Sequence, residues 1–206
     1  MRRARPARGG PSPPSDRPSV GPEQRARDLL LRLETDGPRP LNAAEELDRL
    51  LGRKDRDLPP DADPVRERTE ALCAAWAAPL PRGERADAWL TLVGTLDLKE
   101  HAAQVAALLE DAGRPAPQRA RACRVLSRLR GRVAREALRR VAVARTDLAV
   151  RTAAIEALGE CGSAEDRALL TALLEEELPR PVWNAASAAL DRLRISAPDP
   201  EAGDPS

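Results

Sequence analysis

The sequence predicts an all-α protein, an α-solenoid of antiparallel helix pairs, and three observations carry that expectation. Apolar residues between the two ends recur at helical spacing, with no convincing strand pattern. The core must be built from Ala, Leu and Val, because the 206 residues include no Phe, no Tyr and only three tryptophans, Trp76, Trp89 and Trp183. Closely packed helices can use such side chains, whereas a β-sandwich draws on aromatic and β-branched residues. Finally, sliding the chain against itself by about 32 residues aligns three helices, a period that marks solenoids.

The elements follow in order. Residues 1–21 mix Arg, Pro, Gly and Ser without periodicity and read as a disordered basic tail, because they cannot bury enough apolar surface to offset their ordering entropy. Residues 22–81 form an N-terminal helical segment without a visible repeat. There Ala26, Leu29, Leu30 and Leu33 share one helix face after Pro22, and Gly37-Pro38 supplies a stop. Asn42 can cap a short helix carrying Leu47, Leu50 and Leu51. Asp63-Pro64 is a helix start for Val65, Leu72 and Trp76.

Residues 82–196 read as the solenoid proper. One helix carries Trp89, Leu90 and Val93; Asp97 with Glu100 forms a capping box for the next, which buries Val105, Leu108 and Leu109 and ends at Gly113. Pro117 opens the helix with Val125, Leu126 and Leu129, and Gly131 separates it from the one with Ala134, Leu138 and Val141. Asp147 caps the next helix, Ser163 with Asp166 caps its successor, and Pro181 starts the last, through Leu193. About ten helices on short connections result, and such helices pack as antiparallel hairpins. Residues 197–206 read as a disordered acidic tail.

The repeat is sharpest in "DLAVRTAAIEALGECG". Val150-Arg151 through Ala154, Ala157 and Leu158 aligns with Val182-Trp183 through Ala186, Ala189 and Leu190, and with Gln118-Arg119 through Ala122, Val125 and Leu126. Asp147, Val150, Arg151, Ala154, Ala157, Leu158, Gly159 and Gly162 together resemble the HEAT-like repeat of the type found in phycobilin lyase subunits and many bacterial scaffold proteins. The likeness covers Ala116 to Ile195, with Gly83 to Gly113 as a divergent repeat. Each of these residues has a structural task. Asp147 caps, the apolar residues form one packing face, and the two glycines permit a tight turn. The resemblance implies that Arg151 pairs with an acid or carbonyl of the adjacent repeat.

Charge is segregated along the chain although the net charge is only +1. Residues 114–145 hold eleven arginines and one acid, Glu136, whereas residues 146–178 are acidic. Arg132, Arg135 and Arg139 fall at i, i+3 and i+7, away from Leu138 and Val141. The resemblance implies that second helices line the concave surface, so this stripe, extended by Arg128 and Arg167, is the candidate partner-binding site. An acidic protein segment and a phosphate backbone both match guanidinium forks. The scarcity of aromatic residues disfavours base stacking, so nucleic acid would be held through its backbone.

Enzyme chemistry finds little footing. Cys73, Cys123 and Cys161 are far apart and His101 is the sole histidine, so neither a zinc site nor a multi-histidine centre is expected. No nucleophile elbow or phosphate loop occurs. HEAT-like DNA glycosylases use tryptophans in a basic concavity, and Trp183 alone invites that comparison; the lyase likeness transfers no activity by itself. The expectation is therefore a non-enzymatic protein-binding scaffold without cofactor or metal. No run of about 18 apolar residues or secretory signal is seen, so a cytoplasmic location is expected.

Overall fold

The computed structural model describes residues 21–35, 39–51 and 64–196. Among these residues the secondary structure is entirely helical. The helices are α1 (Pro22–Glu34), α2 (Pro40–Leu51), α3 (Pro64–Trp76), α4 (Gly83–Thr95), a 3-10 turn (Lys99–His101), α5 (Ala102–Glu110), α6 (Ala116–Leu129), α7 (Gly131–Val143), α8 (Leu148–Cys161), α9 (Ala164–Leu174) and α10 (Arg180–Ser196). The expected tails up to Val20 and from residue 197, the stop at Gly37-Pro38 and the cap at Asp63 lie outside the described residues. No helix among the described residues is long and apolar enough to cross a membrane.

The fold is an α-solenoid with a regular ladder. Helices α2, α4, α6, α8 and α10 lie side by side in chain order, and behind each sits its odd-numbered predecessor: α1 on α2, α3 on α4, α5 on α6, α7 on α8 and α9 on α10. The even layer is the tighter one, since α6, α8 and α10 pack closely whereas α7 and α9 meet only marginally. Small residues explain the closeness. Ala122, Ala154, Ala157, Ala186 and Ala189 are buried, and a Cβ on Gly159 would sit 2.7 Å from both Cα and Cβ of Ala189. Gly159 thus serves the α8–α10 crossing rather than the turn expected of it.

The ladder does not begin where the sequence repeat does. Helix α2 packs on α4 as α4 packs on α6, so residues without repeat motifs continue the same stack. Ala26, Leu30 and Leu33 of α1 and Ala44 and Leu47 of α2 are buried in a core continuous with Trp89, Leu108, Leu126, Leu138 and Ile155. Burial of a side chain of this size contributes about 1.5–3 kcal/mol, independent of whether its neighbours keep a motif. Trp89 fixes the junction: its Nε1 donates to the Cys73 carbonyl at 3.0 Å, and its ring meets His101 edge-on at 5.8 Å.

Helix starts follow the expected chemistry in part. Asp147 accepts from the Ala149 and Val150 amides, and Ser163 with Asp166 completes a capping box on α9. Asp97 does not cap, because the chain leaves α4 with Asp97 at φ 53° and its carboxylate sits 3.3 Å from Lys99 Nζ. The 3-10 turn that follows starts at Leu98 without a side-chain cap. Asn42 lies inside α2, which already begins at Pro40. Helix α5 ends at Glu110, before the expected Gly113, where Asp111 accepts from the Gly113 amide at 3.0 Å.

Candidate functional site

The motif that stands out in the sequence builds α8 and ties it to its neighbours. Arg151 Nε donates at 2.8 Å to the Ala142 carbonyl in the last turn of α7, as the resemblance implied. Arg119, one repeat earlier, donates at 2.7 Å to the Leu109 carbonyl near the end of α5 and at 3.2 Å to Thr146 Oγ1. A guanidinium thus satisfies free carbonyls at the negative pole of the preceding helix in two successive repeats. Trp183 takes the third equivalent position and is half exposed; the last turn of α9 closes instead on the Glu175 and Glu176 amides. Gly162 belongs to the turn, where a Cβ would come within 2.4 Å of the Leu158 carbonyl oxygen. Val150, Ala154, Ala157 and Leu158 are buried, so the motif is consumed by the fold.

The arginines of the candidate stripe are not brought together as one free surface. Arg139 is bound internally: its Nε pairs with the fully buried Asp166, and its Nη2 lies 3.0 Å from Glu165 Oε2 and 3.4 Å from Ser163 Oγ. Burial pushes the Asp166 carboxyl up, but the Arg139 hydrogen bond and charge, with the Ser163 amide, outweigh it and hold the group below the usual carboxylate range. Arg167 donates to the Leu193 carbonyl at 3.3 Å, which ties α9 to the end of α10. Arg132 is highly exposed and lies 3.4 Å from Glu136 on its own helix, while Arg135 is half-buried beside it. Charge segregation between the two repeats therefore serves in part to join them, at Arg139.

Arg128, the fifth residue of the set, belongs to a different surface. Helix α6 carries Arg121, Arg124 and Arg128 at i, i+3 and i+7 along one wall of a groove of about 350 Å³. The floor is α4, with Leu90, Thr91, Gly94 and Thr95, and the opposite wall is α2, with Glu45, Asp48 and Arg49. Arg121 spans one end, 3.7 Å from Glu45 and 4.0 Å from Asp87. Asp48 accepts from Thr95 Oγ1 at 2.6 Å. Arg124 and Arg128 are exposed and have no hydrogen-bond or ion-pair partner among the described residues. A second depression shares Gly94 and Arg128 and continues past the end of α6 to Arg130 and Glu160.

This groove lies on the even-numbered layer, whereas Arg132, Arg135 and Arg139 of the expected stripe are on α7. The i, i+3, i+7 spacing of Arg121, Arg124 and Arg128 is present in the sequence. The opposing wall is not, because α2 reaches the groove only through the ladder. Among the described residues no group of three or more His, Cys, Asp or Glu side chains stands in a metal-binding arrangement. Burial pushes the thiols of Cys73 and Cys123 up to about 12.

Comparison with known families covers the later part of the ladder, beyond α2 and α4. Residues 98–191 match the family model of HEAT repeats, so the stack from the 3-10 turn into α10 is similar to that family's repeats. No curated protein and no solved structure matches the chain.

Proposed function

We propose that this chain is a non-enzymatic interaction module that binds a protein partner along the groove between α2, α4 and α6. The observation that carries the reading is the pair Arg124 and Arg128, two exposed guanidinium groups with no partner among the described residues, on the wall of a preformed groove. Arginines used by the fold, such as Arg119, Arg139 and Arg151, are engaged by carbonyls or carboxylates. HEAT-like stacks offer extended surfaces for partners, and a guanidinium row selects carboxylates. The finer likeness to phycobilin-lyase repeats rests on the α8 motif alone and adds no reacting group to this groove. A reducing, cytoplasmic compartment suits buried free thiols such as Cys73 and Cys123.

Affinity capture from the source cells with the full chain tests the reading. The double variant Arg124→Gln/Arg128→Gln is expected to lose the partner that the native chain retains, while Arg132→Gln/Arg135→Gln retains it, both with native helicity. Equal retention by all three would refute the assignment of the groove. A salt titration of DNA and RNA binding runs beside it. Tight binding with a steep salt slope that depends on Arg124 and Arg128 would transfer the surface to nucleic acid.

A further inference from the structure

Opposite charge stands on the two walls of the groove, and this restricts what can lie in it. The α6 wall is cationic through Arg121, Arg124 and Arg128, and the α2 wall presents Glu45 and Asp48 beside a single cation, Arg49. A continuous polyanion bound to α6 would bring its charge against Glu45 and Asp48, and like charges in juxtaposition are penalised. An all-acidic peptide meets the same objection.

Spacing narrows the class further. Arg124 and Arg128 are four residues apart on a helix rising about 1.5 Å per residue, so their stems are about 6 Å apart along the axis. In an extended peptide, residues i and i+2 point the same way and lie about 6.6 Å apart, with the residue between them pointing to the opposite side. An acid at i and another at i+2 therefore match Arg124 and Arg128, and the intervening side chain faces α2. Its complement there is a base, placed against Asp48 and beside Glu45, which it shares with Arg121.

We infer that the groove accepts an extended peptide segment of alternating charge, acid–base–acid, with its acids on Arg124 and Arg128 and its base on the α2 carboxylates. This rests on the reading of the groove as a protein-binding surface and specifies the sequence pattern that it selects. Arg121 is already drawn toward Glu45 and Asp87, so it closes one end of the groove rather than joining the pair.

Fluorescence anisotropy with the full chain and labelled octapeptides tests it. Three probes are compared: strictly alternating Glu-Lys, the same composition as a Glu block followed by a Lys block, and all Glu. The alternating peptide is expected to bind about tenfold more tightly than either other probe, the factor that about 1.4 kcal/mol corresponds to. Arg124→Gln/Arg128→Gln removes that binding. Glu45→Gln/Asp48→Asn weakens the alternating peptide and strengthens the all-Glu peptide; Asn at 48 keeps an acceptor for Thr95 Oγ1. Equal affinity for the alternating and block peptides, or an unchanged order of affinities in the α2 variant, overturns the inference. So does a single-stranded DNA probe that binds more tightly than the alternating peptide. If the charge pattern fails while Arg124→Gln/Arg128→Gln still loses the captured partner, the inference falls alone; if that variant keeps the partner, the reading of the groove falls with it.

Discussion

Replacing Asp166 by Asn asks how much of the solenoid's cohesion comes from the ion pair between α7 and α9. The Asp166 side chain is fully buried and that of Arg139 is 26% exposed. Breaking a fully buried pair by removing one charge costs about 3–5 kcal/mol. Arg139 is a quarter open to water and keeps Glu165 at 3.0 Å, so the loss is discounted to about 2 kcal/mol. Asn at 166 retains one acceptor for the Ser163 amide, now at 2.6 Å, so the cap is kept while the Arg139 Nε–H loses both the charge and its acceptor. Urea unfolding should show the loss as a lower midpoint at unchanged slope, and the melting temperature should fall by about 4–8 °C.

The pH dependence has a fixed sign. The Asp166 pKa is depressed in the folded state, so its contribution is fully present above the ordinary carboxylate pKa, near 4, and is lost as pH falls through the folded value. The gap between native chain and variant should therefore be widest at neutral pH and close in acid. A difference below about 0.5 kcal/mol at pH 7, or a gap that widens on acidification, would refute the reasoning.

Four further outcomes are expected. Arg151→Met removes the bond to the Ala142 carbonyl and should cost about 1–2 kcal/mol in denaturant unfolding, with Arg119→Met at least as damaging because Arg119 is more buried and makes two bonds. Arg130 sits at φ 55°, ψ −156°, a region that favours glycine, so Arg130→Gly should raise the unfolding free energy, measured in denaturant, by about 1 kcal/mol; destabilisation would contradict the strain argument. Gly159→Leu forces side-chain atoms into Ala189 and should cost about 1–3 kcal/mol, measured by thermal melting. Burial holds Cys73 and Cys123 near 12, so at pH 8 a thiol reagent should label them only as fast as the chain opens; labelling in native buffer independent of added denaturant would contradict their burial.

Much of the helix register was legible because its signals are local. Asp147, Ser163 with Asp166, and the proline starts act on amides a few residues away, so spacing alone reveals them. Asp97 misled for the same reason: the residue pattern of a capping box was present, but a left-handed φ at that residue took the carboxylate elsewhere. Arg139 shows the limit for sites. It shares a stripe with Arg132 and Arg135 by helical periodicity, yet a carboxylate 27 residues later binds it.

The all-helical class, the period near 32 residues and the arginine excess of the 114–145 segment are readable from residue order, because periodicity, caps and composition are properties of neighbouring residues. Which arginines are engaged and which are left to solvent follows from how the helices stack. The same stacking joins α1–α3 to the ladder and sets Glu45 and Asp48 of α2 opposite α6. Those outcomes depend on burial and on pairing between residues as far apart as Glu45 and Arg121, and stacking through shared apolar surface needs no motif to mark it.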